Sequence, residues 1–229
     1  MIKSLIKRAF HTIGLSVEWR DKLLEQITYK DSPYLARIQL HSVRRLLYFR
    51  EMVEKVRHTP GDLVECGTSV GHGLLSFILL SELMGVPRTY YSFDSFEGFP
   101  ELAPEDQGTH VTKGLLASPP ALLMKVLRDG YVPEDVIANR FCLVKGFFDK
   151  TIPSYTRPIA LLHLDCDLYD SYKSSLSLYD QVVSGGVIMF DEYRNPHFPG
   201  ADKAIDEFFA DKPEKLRQHS LGNYFVVKQ

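Results

Sequence analysis

The hydrophobic pattern divides the chain into two stretches of different character. Through residues 1–57 apolar positions recur at helical spacing. Ile2, Leu5, Ile6, Ala9 and Ile13 face one way with Lys3, Lys7 and Arg8 opposite, and Leu46, Phe49, Val53 and Val56 mark a later amphipathic helix ending near Thr59-Pro60-Gly61. From residue 58 onward short apolar runs alternate with helical segments, the pattern of parallel strands joined by crossovers. Strands are predicted at about 62–66, 89–94, 141–145, 159–165 and 186–191. Helices are predicted from about Gly73 to Met84, apolar nearly all round and so buried, and from Ser118-Pro119-Pro120 to Gly130, between a proline start and a glycine stop. Two more are expected over about 171–183 and 201–210, and a C-terminal hairpin pairs 215–220 with 222–228. The expectation is an α/β fold with a seven-stranded, mostly parallel sheet. A single domain spans 1–229, with 1–57 a helical extension and 58–229 the core.

Composition narrows the function classes. A length of 229 residues with 45% hydrophobic content suits one large domain with a sizeable core. The net charge of −2 argues against a nucleic-acid partner. Cys66, Cys142 and Cys166 are an odd set without CxxC spacing, each in a predicted strand or at its end, so reduced thiols in a cytoplasmic protein are expected. No stretch approaches the ~18 apolar residues of a membrane span. The N-terminal helix lacks the apolar run and cleavage site of a signal peptide. It is expected to pack on its own domain or on a second copy in a homo-oligomer, with a membrane surface as the alternative.

In an open α/β sheet, ligands bind beyond the carboxyl ends of the strands. Here those ends are acidic: Glu65, Asp94, Asp165 and Asp191. Carboxylates are costly to bury unpaired, so four at one edge suggest cationic or hydroxyl-rich ligands. The first strand runs into Glu65-Cys66-Gly67-Thr68-Ser69-Val70-Gly71-His72-Gly73, where glycines let a ligand approach the backbone and helix-start amides donate to it. Its order is G-x-x-x-G-x-G, not the G-x-G-x-x-G of a dinucleotide site. Asp94, ending the second strand before Ser95, is placed to accept ribose hydroxyls, or else caps its own loop. Asp165 and Asp191 end neighbouring strands with Glu192 beside them, and three oxygen ligands suit magnesium, calcium or manganese. His163 lies inside a strand and reads as a hydrogen-bonded core histidine.

Taken in order, these motifs resemble the macrocin/mycinamicin/novobiocin O-methyltransferase family, whose members methylate sugar hydroxyls of natural products. The resemblance runs from about Gly61 to Phe209. It rests on Pro60-Gly61-Asp62-Leu63-Val64-Glu65-Cys66-Gly67, on Phe93-Asp94-Ser95-Phe96-Glu97-Gly98-Phe99-Pro100, on Lys145-Gly146-Phe147-Phe148-Asp149 through Pro153, on Leu164-Asp165-Cys166-Asp167-Leu168-Tyr169-Asp170-Ser171, and on Phe190-Asp191-Glu192-Tyr193. It implies a class I, Rossmann-like methyltransferase sheet, which the count of seven strands matches. It further implies S-adenosylmethionine held by Glu65, Gly67, Thr68, Ser69, Gly71, Asp94, Ser95, Gly146 and Phe147. A metal, magnesium by preference, would be held by Asp165, Asp191 and Glu192, with Asp167 at the position of the general base. The family commonly carries Asp-Asp-Tyr where this chain has Asp191-Glu192-Tyr193; a glutamate still ligates metal, with its oxygen shifted by one methylene. The N-terminal 57 residues and the insert from about Ala103 to Arg140 match nothing assignable and are expected to shape the acceptor pocket.

Metal at the cluster would orient neighbouring sugar hydroxyls of a glycoside or saccharide, and Asp167 would take the proton. A metal-dependent hydrolase would leave the glycine loop and Asp94 without a role. A dinucleotide oxidoreductase would want an acidic residue ~20 positions after its first glycine, whereas Asp94 lies 27 after Gly67. A non-catalytic binding protein of the same fold is the remaining alternative.

Overall fold

The structure, a computed structural model, describes residues 40–229. The N-terminal amphipathic segment lies outside them, and so does the subunit contact expected of it. Helix α1 (Leu40–Lys55) leads into β1 (Asp62–Cys66), α2 (His72–Leu83), β2 (Tyr90–Asp94), α3 (Pro120–Asp129), α4 (Glu134–Asn139), β3 (Phe141–Lys145) and α5 (Phe148–Thr151). There follow β4 (Ile159–Leu164), α6 (Tyr169–Ser175), β5 (Val182–Phe190), α7 (Pro199–Phe209), β6 (Arg217–Gln218) and β7 (Tyr224–Val227).

The sheet runs in the order β3-β2-β1-β4-β5-β7-β6. Strands β1 to β5 pair in parallel, and β7 pairs antiparallel with β5 and β6. Side chains alternate across a strand, so the sheet feeds two cores. Leu63, Leu161 and Val187 pack with α1, α2, α3 and α4, while their neighbours Val64, Leu162 and Ile188 pack with α6 and α7. The near-continuous apolar runs of β4 and β5 follow from burial on both faces.

Four expectations need adjusting. The helix expected over 171–183 ends at Ser175 and tightens into a 3-10 turn, Leu176–Gln181. Strand β5 then begins at Val182, because Gly185 (φ 80°) and Gly186 do not bound the strand. They absorb a register shift against β4, as glycines do at a bulge. Helix α2 is apolar but not enclosed: Leu74, Phe77 and Ile78 are buried, whereas Leu83 is 85% exposed. In α1, Tyr48, Phe49, Met52 and Val53 form the buried face, and Leu46 stands outside it. All three cysteines are free thiols; Cys66 and Cys166 are buried and Cys142 partly so. No helix among the described residues is long and apolar enough to cross a membrane.

Candidate active site

The topology reverses direction between β1 and β4, and the glycine turn stands at that point. The strand ladder extends one residue past each end. Gly67 N donates to Phe93 O at 2.9 Å, Asp165 N to Cys66 O at 3.0 Å and Asp191 N to Leu164 O at 3.0 Å. These bonds bring Gly67, Asp165 and Asp191 level at the sheet edge. Gly67 has φ 90°, and a Cβ there would stand 1.6 Å from the Asp165 carbonyl oxygen. Any side chain would therefore wedge β1 from β4.

Asp94 ties the turn to β2. Its Oδ2 accepts from Ser69 N at 2.7 Å and its Oδ1 from Phe96 N at 2.6 Å. Its main-chain oxygen accepts from Gly146 N at 2.9 Å, which carries the β3 end into the same framework. Each carboxylate oxygen has a second lone pair left for a ligand hydroxyl.

A cavity of about 730 Å³ opens here, a volume suited to a small-molecule site. Gly67, Ser69, Asp94, Ser95, Phe147, Asp165 and Asp167 all line it. Other expected cofactor contacts do not. Glu65 is turned to the α1–α2 side, 1% exposed, and Thr68 is buried with its hydroxyl accepting from Ser92 Oγ at 2.9 Å. Gly71 (φ 94°) instead starts α2 in a left-handed conformation, and Gly146 shapes the β3 exit. Leu115 and Leu116 also stand on the cavity wall; they belong to the 103–140 stretch that no motif covers and that is expected to shape the acceptor pocket, though the sequence singled out neither residue.

The acidic cluster behind the cavity divides differently from expectation. One ligand atom each from His163, Asp165 and Asp191 lie within 4.8 Å of one another, and so do oxygens of Asp165, Asp167 and Glu192. The expected trio of Asp165, Asp191 and Glu192 does not form one such group. The reason is strand alternation, since adjacent side chains leave β5 on opposite faces. Asp191 turns toward His163 and α1; Glu192 turns toward α6, where Tyr172 Oη and Cys166 N (3.3 Å) donate to it. Asp167 has φ 61°, an uncommon conformation for a residue with a side chain, and it sits in the cavity wall beside Asp165.

Charge is concentrated here. Burial, then the neighbouring Asp191, pushes the Asp165 carboxyl up to about 6. Burial, then Asp165, pushes Asp167 up to about 7. Glu192 is raised well above the ordinary carboxylate range by burial, with Asp165 and Asp191 adding to it. Burial opposes the charge on His163, yet Asp191 and Glu65 outweigh it and bring the imidazole up to about 9. Its Nδ1 lies 3.0 Å from Glu65 Oε1 and its Nε2 3.8 Å from Asp191 Oδ1. His163 is thus the hydrogen-bonded core histidine expected, and also part of the cluster's charge balance. Arg45 of α1, which no sequence signal distinguished from its neighbours Arg44 and Arg50, places a guanidinium nitrogen 2.8 Å from Asp165 Oδ2 and 3.6 Å from Asp191 Oδ1.

The comparisons with known proteins bear on the family and the fold. The mycinamicin III 3''-O-methyltransferase of Micromonospora griseorubida is 25% identical over 212 residues, 87% of this chain and 81% of that protein. Among solved structures, the calicheamicin methyltransferase CalS11 superimposes with a TM-score of 0.72 at 25% identity, covering 93% of each chain. The O-methyltransferase NovP gives 0.71 at 27% identity, covering 82% of this chain and 80% of that one. The family model described as Macrocin-O-methyltransferase (TylF) matches residues 11–217, well beyond the 61–209 stretch carried by the motifs. The chain therefore belongs to the TylF macrocin-O-methyltransferase family, a family of S-adenosylmethionine-dependent O-methyltransferases.

Proposed function

We propose that this enzyme methylates a hydroxyl of a sugar or of a glycosylated natural product, with S-adenosylmethionine as donor and a divalent cation, magnesium by preference, at the acidic cluster. One observation carries the reading: Asp167 lines the same cavity as Asp94 and Ser69 and stands beside Asp165. A proton acceptor thus shares one chamber with the cofactor turn. The relatives named above are, by their names, a mycinamicin III 3''-O-methyltransferase and a calicheamicin methyltransferase, which supports the choice of acceptor class.

The residues present fit both groups. Gly67 and Ser69 line the cavity at the turn, and Asp94 offers acceptors to ribose hydroxyls. Bound there, S-adenosylmethionine supplies an activated methyl group. For the cation, the converging oxygens of Asp165, Asp167 and Glu192 are hard donors of the kind magnesium and manganese take. These three replace the trio expected from the sequence, and a cation held by them would lower the pKa of an acceptor hydroxyl. Asp167 has two oxygens, so one remains to take the hydroxyl proton. Phe147, Leu115 and Leu116 add apolar surface to the cavity wall, against which an acceptor can pack.

The test is incubation with S-adenosylmethionine, magnesium and a panel of glycosides, followed by mass spectrometry. The expected result is one added methyl group, lost on chelation and restored by magnesium. Methylation that persists after exhaustive chelation would remove the cation from the reading; no methylation of any glycoside would remove the acceptor class.

A further inference from the structure

One wall of the cavity is built by the loop between β2 and α3, and a buried carboxylate sits at the middle of that loop. Its two limbs are zipped together: Phe99 N donates to Leu115 O at 3.1 Å and Gly114 N to Phe99 O at 2.9 Å. The limbs run so close that a Cβ on Gly98 (φ 76°) would stand 2.5 Å from the Leu115 carbonyl oxygen. Gly98, Phe99, Pro100, Leu115 and Leu116 of these limbs all line the cavity. Between them the 3-10 turn Pro104–Asp106 carries Asp106, which is 2% exposed. Its Oδ2 accepts from Ala103 N within the loop at 3.1 Å, and its Oδ1 accepts from Tyr169 N, at the first residue of α6, at 2.9 Å. Tyr169 follows Asp167 by two residues, so this bond reaches the turn that holds Asp167 in the cavity wall. Gly200 of α7 closes the third side, since a Cβ there would be 2.0 Å from Asp106 Oδ1. Beside it, Lys203 Nζ of α7 meets Glu105 Oε1 at 3.0 Å. A carboxylate is retained out of water where amides are aimed at it, and removing it would strip both amides of their acceptor.

We propose that Asp106 is a positioning residue for the acceptor: it pins the wall formed by residues 98–101 and 114–116 to the turn that carries Asp167. Wall and proton acceptor then keep a fixed spacing before a ligand enters. A carboxylate suits the task because one rigid group offers acceptors in two directions. The cofactor end is anchored separately, through Asp94 to Ser69 N and Phe96 N, and does not depend on this pin. The consequence for acceptor binding rests on the function proposed above; the pin itself does not.

Amide hydrogen exchange on the full chain reads the pin without turnover, and steady-state kinetics with a glycoside acceptor read its consequence. Asp106→Ala should speed exchange at Tyr169 and in both limbs, and leave the dissociation constant of the demethylated cofactor unchanged. It should raise the acceptor KM by about tenfold or more, the worth of one charge-assisted hydrogen bond. It should also lower kcat by up to about 10²-fold, as the Asp167 turn shifts. Asp106→Asn, which keeps the shape and one acceptor oxygen, should recover most of the loss. Gly200→Ala attacks the same contact from α7; it should mimic Asp106→Ala yet add little to it in the double variant, because the clash goes with the carboxylate. If Asp106→Ala loses its cooperative thermal transition, Gly200→Ala takes its place with the same readouts. Parent-like exchange at Tyr169 in the folded variant overturns the proposal. So does an unchanged acceptor KM, or a loss of acceptor and cofactor affinity together. A parent that methylates no glycoside overturns the acceptor class alone, because the exchange comparison still decides whether Asp106 pins the loop.

Discussion

The amide of Ser69 donates to Asp94 Oδ2 at 2.7 Å, so one carboxylate both shapes the glycine turn and faces the cavity. Asp94→Ala should therefore weaken S-adenosylmethionine binding through two routes, lost ribose acceptors and a loosened turn. The expected loss is roughly 1.5–3 kcal/mol, the worth of hydrogen bonds to a charged acceptor. Calorimetric titration with the demethylated product measures it, and an unchanged dissociation constant would take Asp94 out of the site.

Gly67 faces the Asp165 carbonyl oxygen with no room for a side chain. Gly67→Ala is expected to lower stability by at least about 2 kcal/mol, from the strained φ and the clash together. It should also lower cofactor and metal affinity in one step, since the residue spaces the turn from β4. Denaturant unfolding alongside ligand titration checks this. Full stability with normal binding would mean that the β1 and β4 ends yield more readily than their hydrogen bonds imply.

The regrouped cluster separates two neighbouring carboxylates by role. Asp167→Asn should lose manganese affinity and reduce turnover by about 10²–10⁴-fold, because it removes a ligand and the proton acceptor. Asp191→Asn, outside the converging trio, should keep the ion. Manganese titration of both variants decides the matter, and the reverse order would restore Asp191 as the ligand expected from the sequence.

Asp167 also predicts a pH effect on the ion-free protein. Its folded value of about 7 lies above the ~3.9 of an unfolded aspartate. The sign follows from that order. The folded state favours the protonated acid, so the benefit is whole below about pH 4 and is lost as pH rises through 7. Asp167→Asn, which cannot ionise, should be more stable than the parent at pH 8 by on the order of 1–3 kcal/mol. Near pH 4 the two should differ little. Thermal melts at both values test it, and a pH-independent difference would show that the carboxyl is not perturbed by its surroundings.

The strands and the turn were legible because their signals are local. Apolar runs such as Ile159–Leu164 can only be satisfied inside a two-faced sheet, and the glycines at 67 and 71 sit where φ is positive. Local propensity also placed Asp94 and Asp165 at strand ends. What lay beyond local reading depended on which face each side chain leaves by and what the neighbouring element brings. Asp191 and Glu192 are adjacent in the chain, yet alternation sends one to His163 and the other to Tyr172. Glu65, a cofactor contact by its position in the motif, meets His163 because β1 and β4 pair Glu65 with His163 in register. Arg45 lies 120 positions from Asp165 in the chain, on a helix where nothing separates it from other arginines. Sequence by itself determined the sheet, the cofactor turn and the supply of carboxylates, because each is set by short-range backbone geometry and burial. Only the tertiary structure decided how those carboxylates are divided and which cation already sits among them, because charge balance is settled between elements far apart in the chain.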